Sequence, residues 1–499
     1  MLLGSEKILP KGSLITGWLI FVILYIFFML NYPGFPGTNP EHPLGWFGSY
    51  DQGQYLKQLN NLMIIGVSTL NEGIYPPGYV TLAFPIATFL QFFTNNYTEY
   101  AIIALNTILV ISSVYILMHA MDKNKAVLFL IMLSVLFCFS DVVRNSLIIP
   151  WSSSVTLFVA SLFYYIVSFD GVMFRKRSNE MAILFFYGVM LSILFHSRPQ
   201  DFVIISFSSL LYLIFTFYKY NNIGRNVYLA FLSFALSEIG FYLLVDGLAL
   251  GSIYADTQHS FSMSGNFDKL LGIITGDQTY GIISQGLLDR GVISAAVIIA
   301  VFIAGVIFSR VEIKIAFILW FVIYLSFSDF GPHNFLVYEL FHYIKTPFIL
   351  SLVVFSNNFT YKKLFVLSLL TFSSLSLSLH AKINFTNILY KTEKISVTEN
   401  IWEISTNDNI DGIFISGLLP ELKINTPNIL FVPPAVTINK VKLTAFKDYR
   451  VFAGDNGIYI HFFSELPYFF RLAIDTKNLT LASNLHLGVY SFNRSVGMK

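Results

Sequence analysis

Long apolar runs separated by short polar breaks dominate the first three quarters of the chain. They fall at about residues 14–30, 99–120, 126–140, 149–169, 181–196, 202–218, 227–250, 291–309, 315–328, 347–360 and 364–379. Each is close to the roughly 17–25 residues a helix needs to cross a bilayer, or slightly short of it. The pattern predicts about eleven membrane-spanning helices. A further apolar stretch, 76–93, opens on Tyr75-Pro76-Pro77, and proline is favoured in the first turn of a helix. Beyond about residue 380 the pattern changes to mixed polar and charged positions with short β-like runs at 412–417 and 428–432. Tyr449–Ala453 and Ile458–Phe462 bracket Gly454-Asp455-Asn456-Gly457, which predicts a hairpin. The organisation expected is an all-α polytopic membrane bundle over 1–380, followed by a small α/β or β domain over 381–499, long enough for its own core.

Composition sharpens the class. Of 499 residues, 55% are hydrophobic and only 12% charged, about half the charge of an ordinary soluble chain. A formal net charge of +2 argues against a polyanionic partner such as nucleic acid. The one cysteine, Cys138, lies in an apolar run and has no intrachain disulfide partner.

The basic residues then orient the predicted spans. Lys7 and Lys11 precede the first run, which has no small-residue cleavage site and reads as an uncleaved first helix with a cytoplasmic N-terminus. Lys123 and Lys125, then Arg175, Lys176 and Arg177, then Lys219 and Arg225, then Arg310 and Lys314, then Lys362 and Lys363 all fall in alternate loops. That is the positive-inside pattern, and it survives only if residues 76–93 do not cross the membrane. Those residues are therefore expected to form an interfacial helix within a first extracytoplasmic loop, 31–98, and the C-terminal domain is expected outside as well.

Ionisable groups in or beside apolar spans are costly there and so mark candidate chemistry. Asp51, Glu72, Asp141, Arg144, Arg198, Asp201, Asp246, Asp329, His333, Glu339, His342 and Lys345 gather on the expected outer face, and Glu238 lies near the middle of a span. Each has a bland reading too. Asp51 caps a short helix, Arg198 snorkels to the interface, and Glu238 pairs with a polar group on a neighbouring helix.

The ordered combination of GWFGSYDQGQYL, YPPGYVTLAFP and a His-x-Arg-Pro turn (His196 to Pro199) resembles the GT-C superfamily of integral-membrane glycosyltransferases over residues 14 to about 350. Relatives include the aminoarabinose and protein O-mannosyl transferases and bacterial enzymes that decorate O-antigen. The resemblance implies a sugar donor on polyprenyl phosphate, a glycan acceptor, and work at the outer face of the bacterial inner membrane. It implies Asp51 as general base on the acceptor hydroxyl and Asp141 as a second, orienting acid. Many relatives have a paired Asp-Glu where this chain has Asp51-Gln52, so neither a two-carboxylate scheme nor a loop-bound metal is indicated, and no cofactor is expected. A departing phosphate needs cations, and arginine grips it with two hydrogen bonds. Arg198 is the first choice for that role, and Lys345 with His342 and Tyr343 the second. Tyr55, one turn after Asp51, is expected to position the substrate, and Tyr75 and Arg144 complete the substrate-binding set. Other classes that fit the same pattern are a transporter or flippase of lipid-linked glycan and an O-antigen polymerase.

Overall fold

The computed structural model describes residues 11–31, 50–72, 75–168, 178–220, 225–245, 292–327 and 337–358, and strand segments between 383 and 494. The helices, in chain order, are α1 (Lys11–Leu30), α2 (Tyr50–Ile64), α3 (Gly78–Leu90), α4 (Tyr97–His119), α5 (Lys123–Phe139), α6 (Asp141–Ile148) and α7 (Ser153–Ser168). They continue with α8 (Ser178–Phe195), α9 (Pro199–Tyr220), α10 (Arg225–Val245), α11 (Val292–Phe308), α12 (Val311–Phe327) and α13 (Val337–Asn358). Every apolar run from 14–30 to 347–360 is thus helical. The run at 364–379 and the β-like run at 428–432 lie outside the described residues.

Among the described residues one helix, α4, is long and apolar enough to cross a bilayer. Helices α5, α7, α11 and α12 have 16 or 17 residues, about 24–26 Å at 1.5 Å per residue. The bundle is nevertheless apolar on the outside. Ile15, Leu19, Ile23 and Phe27 on α1, Val203, Phe207, Leu210 and Ile214 on α9, and Leu232, Leu236, Ile239 and Leu243 on α10 are all exposed. Rows of this kind at helical spacing exceed what a water-facing monomer carries, and they suit lipid. The bundle is a multi-pass membrane architecture.

Its core is continuous. Helix α1 packs on α5, α4 on α7, α8 on α10, α9 on α12, and α13 on α6, α7 and α11. The α8–α10 pair closes tightly because Gly188 faces Ser233 and the Ala230 carbonyl, where a Cβ would lie 2.0 Å and 2.2 Å from those oxygens. Small residues that let helix backbones approach are a recurrent device in membrane bundles. Helix α3, with 13 residues, is too short to cross. It buries Gly78, Tyr79, Val80, Ala83 and Ala87 against α2 and α4, while Phe84 and Phe89 stay exposed. It starts directly after Pro77, as the Pro-Pro pair predicts.

All described elements after residue 380 are strands. β1 (Ile383–Ile388), β10 (Leu479–Arg494), β4 (Gly412–Pro420), β8 (Gly457–Phe462) and β7 (Tyr449–Gly454) form one antiparallel sheet in that order. β2 (Glu393–Ser396), β3 (Ile401–Ser405), β9 (Phe469–Ile474), β5 (Val436–Ile438) and β6 (Val441–Lys442) form the other. Alternate residues of both sheets, including Trp402, Ile404, Ile413, Ile415, Ile460, Phe462, Phe470 and Leu472, bury into one shared core. This period of two makes a β-sandwich. The expected hairpin is β7–β8, with Gly454 opposite Gly457.

Candidate active site

The polar chemistry of the bundle converges on the end of α6, the turn Ile149-Pro150-Trp151-Ser152 that follows it, and Ser153-Ser154 at the start of α7. Four helices reach it. From α1, Tyr25 OH donates to the Leu147 carbonyl at 3.0 Å. From α4, Asn106 Nδ2 donates to the carbonyls of Leu147 and Ile148 at 2.9 and 3.1 Å. From α2, Gln52 Nε2 donates to the Pro150 carbonyl at 2.9 Å and Tyr55 OH to Ser152 Oγ at 3.0 Å. From α13, Lys345 Nζ donates to the Ser146 carbonyl at 3.2 Å and to Ser154 Oγ at 2.8 Å. Ser154 Oγ in turn donates to Asn106 Oδ1 at 2.6 Å. A non-helical turn inside an apolar bundle leaves carbonyls that must find donors. Here the donors are the same side chains that bring the helices together.

Arg198 comes from the turn between α8 and α9. Its Nε donates to Asp201 Oδ2 at 2.6 Å, and both side chains are almost fully buried. Asp201 also accepts from Thr156 Oγ1 at 2.6 Å and from the Trp320 indole at 3.2 Å. The guanidinium lies 5.3 Å from the centre of the Tyr343 ring, and Nη1 stands 3.5 Å from Ser152 Oγ. Arg198 is therefore an interior, carboxylate-paired group, and the snorkelling reading does not describe it. On the other side the His342 ring centre lies 3.9 Å from that of Trp151 and 3.9 Å from that of Tyr343, tilted against both. The charge of Arg198 acts on both His342 and Lys345. Lys345 is fully buried and has no carboxylate partner among the described residues.

Five of the sequence-selected residues, Tyr55, Arg198, His342, Tyr343 and Lys345, thus stand around one turn. Tyr75 joins them through its ring, 5.5 Å from that of Tyr55, and its carbonyl accepts from Gln58 Nε2 at 2.7 Å. Arg144 is placed differently. It reaches back to the Cys138 carbonyl at 2.9 Å and lies over the Phe28 ring at 5.0 Å, on the α1–α5 side of α6. Asp51 and Asp141 are described through their backbones only. Asp51 is the second residue of α2, inside the first turn and not ahead of it, one turn before Tyr55; Asp141 is the first residue of α6, behind the N-cap Ser140. Gln52 explains its own departure from an acidic pair: it is fully buried and donates to a carbonyl, which a carboxylate cannot do.

Sequence reasoning did not select Ser152, Ser154 or Asn106, nor Asp201 as the partner of Arg198. The run Pro-Trp-Ser-Ser-Ser at the head of an apolar segment was the available signal, since three adjacent hydroxyls there need partners.

A second polar pair supports the arginine turn from behind. Glu238 Oε2 lies 3.1 Å from His196 Nε2, and His196 stacks on Phe241 at 4.2 Å. The His196 carbonyl accepts from the Gly78 N–H at 2.6 Å. A Cβ on Gly78 would sit 2.6 Å from the Ile193 carbonyl oxygen and 2.7 Å from the His196 carbonyl carbon, both backbone atoms that cannot swing aside. Gly78→Ala is expected to destabilise the protein by about 1–3 kcal/mol. Its thermal unfolding in detergent, compared with an Ala83→Gly control on the same helix, checks this.

No family model matches this sequence, and no curated protein matches it. Among solved structures it is similar to ArnT from Cupriavidus metallidurans in the apo state, with a TM-score of 0.42 and 12% identity. That alignment covers 70% of this chain and 62% of ArnT. It is also similar to the Archaeoglobus fulgidus oligosaccharyltransferase tethered to an acceptor peptide, with a TM-score of 0.43, 12% identity and coverage of 75% and 55%. A third structure, the archaeal oligosaccharyltransferase AglB with an inhibitory peptide and dolichol-phosphate, gives 0.41, 13%, 74% and 56%. These neighbours are GT-C membrane glycosyltransferases. The chain spans about three-fifths of the length of the structures it resembles, and a likeness at this level assigns no residue a role.

Proposed function

We propose that this chain is a membrane glycosyltransferase that moves a sugar, a hexose such as glucose, from a polyprenyl-phosphate donor to a surface glycan such as O-antigen. In this reading the site opens on the outer face of the inner membrane, the N-terminus is cytoplasmic, about eleven helices span the bilayer, and the β-sandwich lies in the periplasm. The observation that carries it is the meeting at Ser152 of Tyr55, one turn beyond Asp51, with Arg198, while Lys345 holds the next serine but one. The helix bearing the only acid of the first-loop motif, the Arg198 turn and the Lys345 helix share one anchor.

The step balances simply. The acceptor hydroxyl oxygen forms a bond to the sugar anomeric carbon as the bond from that carbon to the phosphate oxygen breaks. The hydroxyl proton goes to the Asp51 carboxylate, and polyprenyl phosphate leaves with the electron pair. Arg198 and Lys345 offset the charge that builds on the phosphate, and Tyr55, Tyr75 and Tyr343 hold the sugar. Asp141, at the start of α6, orients the acceptor.

Comparing surface polysaccharide by NMR in cells with and without the gene tests this. Loss of a single sugar branch with chain length unchanged is the expected result. Unchanged composition overturns the reading, and shortened chains with intact repeats favour a polymerase.

A further inference from the structure

The hub turn has more donors than the protein uses. Trp151 Nε1 and Ser153 Oγ are buried and have no hydrogen-bond partner among the described residues, and the same holds for His342 Nδ1 beside them. Trp151, Ser153 and His342 expose 5%, 2% and 2% of their surface. Ser152 adds its hydroxyl proton. A serine hydroxyl has one proton to give and two lone pairs to accept with. Ser152 Oγ accepts from Tyr55 and is approached by Arg198 Nη1, so its own proton is left to donate. Buried donors without acceptors are unfavourable. Two of them, Trp151 and Ser153, flanking the Ser152 proton at the N-terminal end of the 16-residue α7, call for an acceptor from outside the described residues. A water or a neutral hydroxyl would satisfy one donor and leave the Lys345 amine uncompensated. An anion satisfies the donors and the amine together.

We propose that the Trp151-Ser152-Ser153 turn is an anion-binding site that receives the oxygens of a phosphate monoester, with the indole N–H and both hydroxyls as donors. This deepens the glycosyltransferase reading and rests on it for naming that phosphate as the headgroup of the lipid-linked donor. The anion site itself stands on the turn.

The decisive variant is Ser153→Ala. Its hydroxyl has no partner among the described residues, so removing it takes no hydrogen bond from them and relieves an unsatisfied group. The full chain in detergent is titrated with a short isoprenyl monophosphate, with inorganic phosphate, and with the matching isoprenyl alcohol, and thermal unfolding is followed. Wild-type protein is expected to be stabilised by both phosphates and not by the alcohol. Ser153→Ala is expected to unfold at the same or a higher temperature without ligand, yet to bind the monophosphate about tenfold more weakly. Ser152→Ala is expected to weaken it at least as much. Equal affinity in wild type and Ser153→Ala overturns the anion site, as does a wild-type protein that responds to neither phosphate. If only inorganic phosphate binds, and Ser153→Ala weakens it, the anion site stands and the lipid-linked donor reading fails. If the isoprenyl monophosphate binds wild type and Ser153→Ala alike, the donor reading stands and the site lies elsewhere.

Discussion

Replacing Asp51 by asparagine is expected to lower sugar transfer by about 10²–10⁴-fold, the range a positioned general base contributes. Asparagine has the same shape and cannot take a proton. The change is expected to leave the fold intact. Asp51 lies in the first turn of α2, where a carboxylate contributes only about 0.3–1 kcal/mol through the helix dipole. The α2 anchor is made by Gln52 and Tyr55. The amount of Asp51→Asn protein in the membrane is therefore expected to equal that of wild type. Transfer from a polyprenyl-phosphate sugar by purified protein is the measurement. Activity within tenfold of wild type would sink the role of Asp51, whatever the acceptor.

The second large effect is on stability and comes from Arg198. Removing one partner of a buried ion pair leaves the other charge uncompensated, at a cost of roughly 3–5 kcal/mol. In Arg198→Ala the Asp201 carboxylate keeps Thr156 and Trp320 but loses its cation, so a marked fall in thermal unfolding temperature is expected. Adding Asp201→Asn removes the stranded charge and leaves an amide oxygen for one of those donors. The double variant is expected to recover most of the lost stability and none of the transfer activity. That split separates the packing role of Arg198 at the α8–α9 turn from its proposed role at the leaving phosphate. Wild-type unfolding of Arg198→Ala would mean that the pair is not buried and neutral as described.

The bundle was legible in the sequence because helices that face lipid are written as unbroken apolar runs, and the ten described runs are helical. The hairpin at Gly454–Gly457 was legible because turn residues there interrupt alternating apolar positions. Glu238 was expected to pair with a neighbouring helix, and it does so with His196. Local signals of this kind depend on residues a few positions apart.

What the sequence could not reveal is which distant residues share a hydrogen bond. Beside its reading as a phosphate cation, Arg198 was open to reading as an interfacial arginine, because its partner's burial, and the Thr156 and Trp320 contacts that fix it, arise only when α7, α9 and α12 pack. Arg144 was expected in the same substrate-binding set as Arg198, and the fold turns it toward Phe28 and the Cys138 carbonyl. For Ser152 and Ser154 the run of hydroxyls signalled only a need for partners, since a serine's role depends on which donors reach its oxygen. The sequence by itself determined an apolar multi-helix chain with a β-rich tail and the residue types available for chemistry, because hydropathy and turn preferences are local. Only the tertiary structure decided that Tyr55, Arg198 and Lys345 meet on the Pro150–Ser154 turn. An apolar bundle must satisfy every backbone carbonyl it exposes, and the helices that packed against this turn supplied the donors.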